Sequence, residues 1–254
     1  MEETPIAPVK PPDMVAAAQR ALQTSPRGDL TREGIQVEHD GDALVISGEV
    51  GEVADKKIAL EQVSAVPGVD AVIDSLHIRT SLHRDDQAVA ADVEAALTGE
   101  SAFADCSVTI QKSLSPPAVA TDRPSQKPGW MSIRVDQGVV VLDGDVPTLL
   151  QQRLAGLLAW WVPGVRDVVD ALGVLSEEVD GDDQIASAMR HVLARDPDVD
   201  SPAIQVRASG AVVTLDGRVN SSRAAQAAER DAWCLLGVNG VENRLAVEVG
   251  RATA

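Results

Sequence analysis

The chain has no tyrosine, a single phenylalanine (Phe103) and two cysteines, and its 22 lysines and arginines face 39 aspartates and glutamates. Each scarcity excludes something. With aromatics this rare, cores drawn from a hydrophobic content of 44% must be built from Val, Leu, Ile and Ala, with aromatic contacts left to four tryptophans. The basic, aromatic-studded stripes that hold single-stranded nucleic acids are missing. A formal charge of −17 repels phosphate backbones and anionic headgroups, which argues against nucleic acid as a partner. Cys106 and Cys234 are too few for a disulfide framework and read as reduced, buried, small side chains. No run approaches eighteen consecutive apolar residues, so no transmembrane segment is expected. The start, MEETPIAPVKPPDM, carries two acidic residues and no apolar stretch of secretory-signal length, so the expected location is the cytoplasm rather than the periplasm.

What the chain does have is an internal repeat. Three Gly-x-Val landmarks begin at Gly48, Gly144 and Gly217. Counting from each glycine, Ala59, Ala155 and Ala228 stand eleven residues on. The pairs Gly68-Val69, Gly164-Val165 and Gly237-Val238 stand twenty on, and Leu76, Leu172 and Leu245 twenty-eight on. One supersecondary unit is written three times. The six glycines read as backbone positions that need positive φ or close packing, since neither a GxGxxG nor a GxxxxGK[ST] pattern is present. Asp74, Asp170 and Asn243, twenty-six on, are short polar residues that suit a turn.

Residues 1–11 carry three prolines and no periodicity and read as a flexible tail. Asp13 is a candidate cap for a helix bearing Val15, Ala18 and Leu22. The alternation around Ile35, Val37, Leu44 and Ile46, with turn residues 39–42 between, predicts a hairpin. A helix over 53–65 stops at Pro67-Gly68, and a last strand follows over 69–78. The order helix, strand, strand, helix, strand then recurs. The second copy opens at Asp86 with Val89, Val93 and Leu97 at helical spacing. The third opens with Asp182 or Asp183 as cap, followed by Ile185, Met189, Val192 and Leu193.

Landmark glycines one and two are 96 residues apart, two and three only 73, so the second copy carries 23 extra residues. The Pro- and Ser-rich stretch 111–129 is where they are placed, and it reads as a loop or disordered insert. Val108 and Ile110 before it form either an added edge strand or the first hairpin strand, a place that Ile133 and Val135 fit better. The resulting boundaries are a tail over 1–11 and modules over 12–80, 84–176 and 181–250, with fold class α+β.

No constellation for chemistry emerges. The four histidines are scattered without ligand spacing, so no metal site is expected. The acidic runs 40–42, 143–145 and 180–183 lack the calcium-loop pattern and read as solvated turns and a linker. Ser221 reads as a helix N-cap, not a nucleophile. Four residues stand out for binding: Leu157, Trp160, Trp161 and Trp233. Trp160 and Trp233 are equivalent, sixteen residues after their glycines, and core packing serves both. Trp161 has no counterpart and lies on the most apolar helix of the chain, wider in apolar surface than one small sheet can cover. It is therefore expected to face a neighbouring repeat, another subunit or lipid. A helix lying on a membrane shows several cations on its polar face, and this one has only Arg153, which favours protein contact.

The third copy, Val213-Thr-Leu-x-Gly217-x-Val219, then Ala228 to Trp233, then Gly237-Val238-x-x-Val241-x-Asn243-x-Leu245, resembles the BON domain, a small bacterial αββαβ module named for osmotic-shock and nodulation-related proteins. The second matches through Val140 to Val146 and Trp160 to Val168; the first has Ser64 where the others have tryptophan. The resemblance covers nearly the whole chain past residue 12 apart from the insert. It implies three tandem modules, each a mixed three-stranded sheet with two helices on one face, and a non-enzymatic binding or scaffold protein without cofactor. Protein contact or self-association in osmotic or envelope stress is the leading expectation. The alternatives are peripheral phospholipid binding and, from relatives that bind potassium, cytoplasmic sensing of K⁺ or Ca²⁺.

Overall fold

The structure, a computed structural model, describes residues 11–41, 43–111 and 127–248. The first repeat consists of α1 (Pro11–Gln23), β1 (Gln36–Asp40), β2 (Ala43–Val50), α2 (Val53–Ser64) and β3 (Ala71–Ile78). The second has α3 (Asp86–Gly99), β4 (Cys106–Ile110), β5 (Gly129–Asp136), β6 (Val139–Val146), α4 (Leu149–Trp160) and β7 (Asp167–Val174). The third has α5 (Asp182–Leu193), β8 (Ile204–Ser209), β9 (Val212–Val219), α6 (Ser222–Cys234) and β10 (Gly240–Val247). In each, a hairpin is followed by a crossover helix that returns the last strand parallel to the second hairpin strand, which becomes the centre of the sheet. Alternation along β2, β6 and β9 buries Leu44 and Ile46, Val140 and Leu142, and Val213 and Leu215.

The second sheet departs from the expected three strands. β4 adds a fourth at its edge, parallel to β5 with Cys106 beside Gly129, while β5 takes the hairpin place through Ile133 and Val135. Part of the extra length in this repeat is thus a strand. Most of the predicted insert, residues 112–126, and residues 1–10 of the predicted tail lie outside the described residues, whereas Pro11 already belongs to α1.

The hairpins turn through two successive residues of positive φ, Gln137 and Gly138 in the second repeat and Gly210 and Ala211 in the third, the geometry that matches strand twist. Each turn is pinned by the first residue of the preceding helix. Asp86 accepts hydrogen bonds from the backbone N–H of Gln137 and Gly138 (both 2.9 Å), and Asp182 from those of Gly210 (2.9 Å) and Ala211 (3.1 Å). Asp182 therefore does not cap its helix as expected. The N-cap is Gly181, and the Asp182 carboxylate is held below its usual range by the hairpin it grips.

Gly48, Gly144 and Gly217 have φ of 129°, 138° and 133°. They lie where the first hairpin strand crosses closest: a Cβ at these positions would come within 2.7, 2.2 and 2.1 Å of the carbonyl oxygens of Gly34, Trp130 and Ala203. Gly68, Gly164 and Gly237, with φ of 89°, 95° and 85°, turn the chain from the second helix toward the last strand.

Asp74, Asp170 and Asn243 are not turn residues. They sit within β3, β7 and β10, where the side-chain Oδ1 accepts from the N–H two residues on, at Leu76 (2.9 Å), Leu172 (3.1 Å) and Leu245 (3.1 Å). These are edge strands, so the side chain occupies a donor that a foreign strand would otherwise seek. The crossover helix reinforces the arrangement. Lys56 Nζ donates to the Leu76 carbonyl (2.7 Å) and pairs with Asp74 (2.9 Å), and Gln152 Nε2 donates to the Leu172 carbonyl (2.8 Å). In the third repeat Asn243 Nδ2 instead donates to the Ala225 carbonyl (3.0 Å).

The chain divides into two compact units, Met1–Arg79 and Thr80–Ala254. The first repeat has a core of its own around Leu22, Leu44, Ile46, Val63 and Leu76. The second and third share one continuous core.

Two outcomes follow from this geometry. Gly217→Ala combines a forbidden φ with a backbone clash and is expected to destabilise the Thr80–Ala254 unit by about 2–4 kcal/mol in urea unfolding. Burial pushes the Asp170 carboxyl up to about 6, and its Oδ2 has no partner. The folded unit therefore binds a proton that the unfolded chain, near 3.8, does not hold, and its stability rises as pH falls from about 6 toward 4. Asp170→Asn, which places at this position the residue that the third repeat carries, is expected to raise stability at pH 7 by about 1 kcal/mol and to remove that part of the pH dependence, as read from unfolding midpoints.

Candidate functional site

α4 begins with a reciprocal cap. Thr148 Oγ1 accepts from the Gln151 N–H (3.2 Å), and Gln151 Oε1 accepts from the Thr148 N–H (3.0 Å). The Gln151 amide continues to the Ala102 carbonyl (2.7 Å), tying the helix start to the end of α3. From there α4 lies across β6 and β7, with α3 on one flank and α5 and α6 of the third repeat on the other. The apolar width that its own sheet cannot cover is covered by the neighbouring repeat.

Three polar links stitch this joint. Arg153, 2% exposed, donates from Nε to the Leu236 carbonyl (3.0 Å) and from Nη2 to Asp180 (2.5 Å). It is not a cation on a polar face, as the sequence suggested, but one enclosed between repeats. Trp161 Nε1–H donates to Asp231 Oδ1 (2.9 Å). Glu100, at the end of α3, takes two bonds from Arg195, just past α5 (2.5 and 2.8 Å), and that guanidinium holds its carboxyl down at about 2.

Asp231 has the opposite setting. It is 4% exposed, and burial pushes its carboxyl up to about 7; the Trp161 bond opposes the rise, and the nearby Asp196 carboxylate adds to it. Burial, with Arg195 close by, also lowers the affinity of His191 for a proton.

Of the four side chains singled out for binding, Leu157 is fully buried in the shared core and Trp233, at 6% exposure, is buried as well. Trp160 is half-buried against that core, and Trp161 meets the third repeat. The residues that sequence reasoning passed over are Arg153, Asp180, Asp231 and the Glu100–Arg195 pair. Arg153 carried a signal, a lone charge within an apolar helix. Asp231 carried none, since Leu158 and Gln62 stand at its place in the other repeats. Trp130, also passed over, donates from Nε1 to Asp145 (3.1 Å) at the far side of the second sheet.

Among the described residues no three His, Cys, Asp or Glu side chains are placed to hold a metal ion. Of two open clefts among the described residues, one is lined by Arg84, which bonds Asp92, and the other by Arg27, which pairs with Glu52 and Asp55. No helix of the described residues is long and apolar enough to cross a membrane.

Three α+β units of one topology, two of them fused through a helix that both cover, define a tandem-module protein. The chain belongs to the BON domain family, whose model matches residues 15–80, 118–176 and 181–249. Over 134 residues it is 32% identical to the Osmotically-inducible protein Y of Escherichia coli (strain K12), a match that spans 50% of this chain and 67% of that protein. Solved structures of CdsD, a structural protein of the type III secretion system of Chlamydia trachomatis, align at 16% identity (94% of this chain and 100% of the CdsD C-terminal domain) and at 17% (93% and 92%). Their TM-scores of 0.24 and 0.25 are too low to bear on fold or function.

Removing the Arg153 guanidinium leaves the Leu236 carbonyl without its side-chain donor. Arg153→Ala is therefore expected to cost the Thr80–Ala254 unit about 2 kcal/mol while leaving the first repeat unchanged, as resolved by amide hydrogen exchange in each unit.

Proposed function

We propose that this chain is a non-enzymatic binding or scaffold protein that works through protein contacts made by the outer sheet faces of its first two BON modules, self-association included. The observation that carries the reading is a matched aliphatic pair on those faces. Val45 of β2 lies beside Ile73 of β3, which is 46% exposed, and Val141 of β6 lies beside Val169 of β7, 45% exposed. At the same two places the third repeat has Thr214 and Glu242. Uncovered β-branched side chains on a sheet face are a contact surface in waiting, whereas a Thr–Glu pair is content in water. The first two modules thus present binding faces, and the third braces the second through α4.

The setting we propose, osmotic or envelope stress, draws on the name of the Escherichia coli relative and on no feature of the site. The cytoplasm is the proposed location, to be checked by fractionation. A phospholipid surface is the weaker reading because the charge is −17 and Arg153 is enclosed. Cation sensing is weaker still, and calorimetry with K⁺ and Ca²⁺ is expected to give flat traces.

Ile73→Glu and Val169→Glu are expected to lower self-association by about tenfold or more in sedimentation velocity while leaving the unfolding midpoints within error. A monomer at every accessible concentration, with no protein captured by the native chain that the double variant fails to capture, would sink the proposal. Vesicle flotation dependent on Ile73 or Val169 would replace protein by lipid as the partner.

A further inference from the structure

Asp231 stands apart among the charges at the joint between the second and third repeats. Its Oδ1 accepts from the Trp161 indole, but its Oδ2 is enclosed and without a hydrogen-bond partner. The surroundings offer little to an ionised carboxylate. The C-cap of α4 supplies the neutral indole of Trp161, and Arg153 on that helix, bonded through Nε and Nη2 to Leu236 and Asp180, is not among the charges that act on Asp231. The segment after α5 supplies the carboxylate of Asp196, while His191 and Arg195 gather around Glu100 instead. On α6 itself Arg230 is exposed and offers only a weak attraction, Glu229 is engaged by Asn243, and Arg223 by Asp198. The sheet under α6 gives Val213, Leu215 and Leu245 to the shared core and Asn243 to Ala225 and Glu229, all four uncharged. A proton on Oδ2 turns this arrangement from two neighbouring carboxylates into a donor and an acceptor.

We propose that a proton shared between Asp231 and Asp196 latches the third repeat onto Trp161 of the second, so that their joint tightens on mild acidification and slackens when the proton leaves. The direction follows from linkage. Separating the repeats returns Asp231 to water, where it ionises readily, whereas the closed joint buries it with only the weak pull of Arg230 to offset the loss of water. Closure therefore takes up a proton and is favoured as pH falls. The hydrogen bond from Trp161 works the other way, since an indole prefers an ionised acceptor, but it satisfies only one of the two oxygens.

The Trp161 indole reports on the joint directly. In the full chain carrying Asp170→Asn, which removes the other carboxylate that titrates near this range, the Trp161 indole N–H resonance is followed from pH 5.5 to 8.5. It is expected to move through a single titration in the neutral range. Amide exchange in α6, corrected for intrinsic rates, is expected to be slower at the acid end by at least about tenfold. Asp196→Asn removes the like charge and is expected to shift the midpoint down by about half a unit or more. Asp231→Asn is expected to abolish the titration. A resonance that stays flat, a titration that survives Asp231→Asn, or exchange that quickens at the acid end overturns the proposal. If Asp231→Asn fails to fold, an Asp196→Asn midpoint equal to that of its parent overturns it just as well.

Discussion

The burial of α4 from both sides is the constraint on which the Thr80–Ala254 unit depends. Nine of its twelve residues are buried, against five of twelve in α2 and six of thirteen in α6. A single αββαβ module lies near the lower limit of size for independent folding, because its surface is large for its volume. Sharing α4 gives two modules one core, and a side chain such as Leu157, sealed completely, contributes about 2 kcal/mol. The links at Arg153, Trp161 and Glu100 then fix the register in which the apolar faces meet, since each misplaced by a turn would leave a charge or an indole N–H without its partner.

How much of this was legible depends on whether the determinant was local. The landmark glycines were readable because a close strand crossing with positive φ admits no other residue, and the same need arises three times at the same offset. The helices and hairpins followed from periodicity and turn residues for the same reason. β4 was ambiguous because Val108 and Ile110 alternate as a hairpin strand does, and nothing within five residues says which neighbour they will pair with. Asp74, Asp170 and Asn243 were misread because side chains that bond their own backbone two residues on are common in turns; here the same bond closes a strand edge. The joint residues were the least legible, since Arg153 and Asp231 acquire their roles only when two repeats meet.

Comparing the copies shows where the chain tolerates buried charge. On the edge strands Asp74 pairs with a lysine and Asn243 donates to a backbone carbonyl, whereas beside Asp170 the glutamine goes to the Leu172 carbonyl instead. Of the three, only Asp170 leaves an oxygen unpartnered. The second repeat thus holds the most apolar helix together with an incompletely satisfied carboxylate on its edge strand, which ties its stability to the protonation of that group.

The outer side of α6 decides how far the helix-sharing geometry can extend. Leu150, Arg153 and Leu157 of α4 and its C-cap Trp161 correspond in repeat position to Arg223, Gln226, Arg230 and Cys234 of α6, and the first three of these are exposed. A helix pair packed on this face as α5 and α6 pack on α4 would have to bury two arginines and a glutamine. The outer face of α6 is thus polar, whereas the first two sheets carry exposed aliphatic residues, Ile73 and Val169, where the third has Glu242.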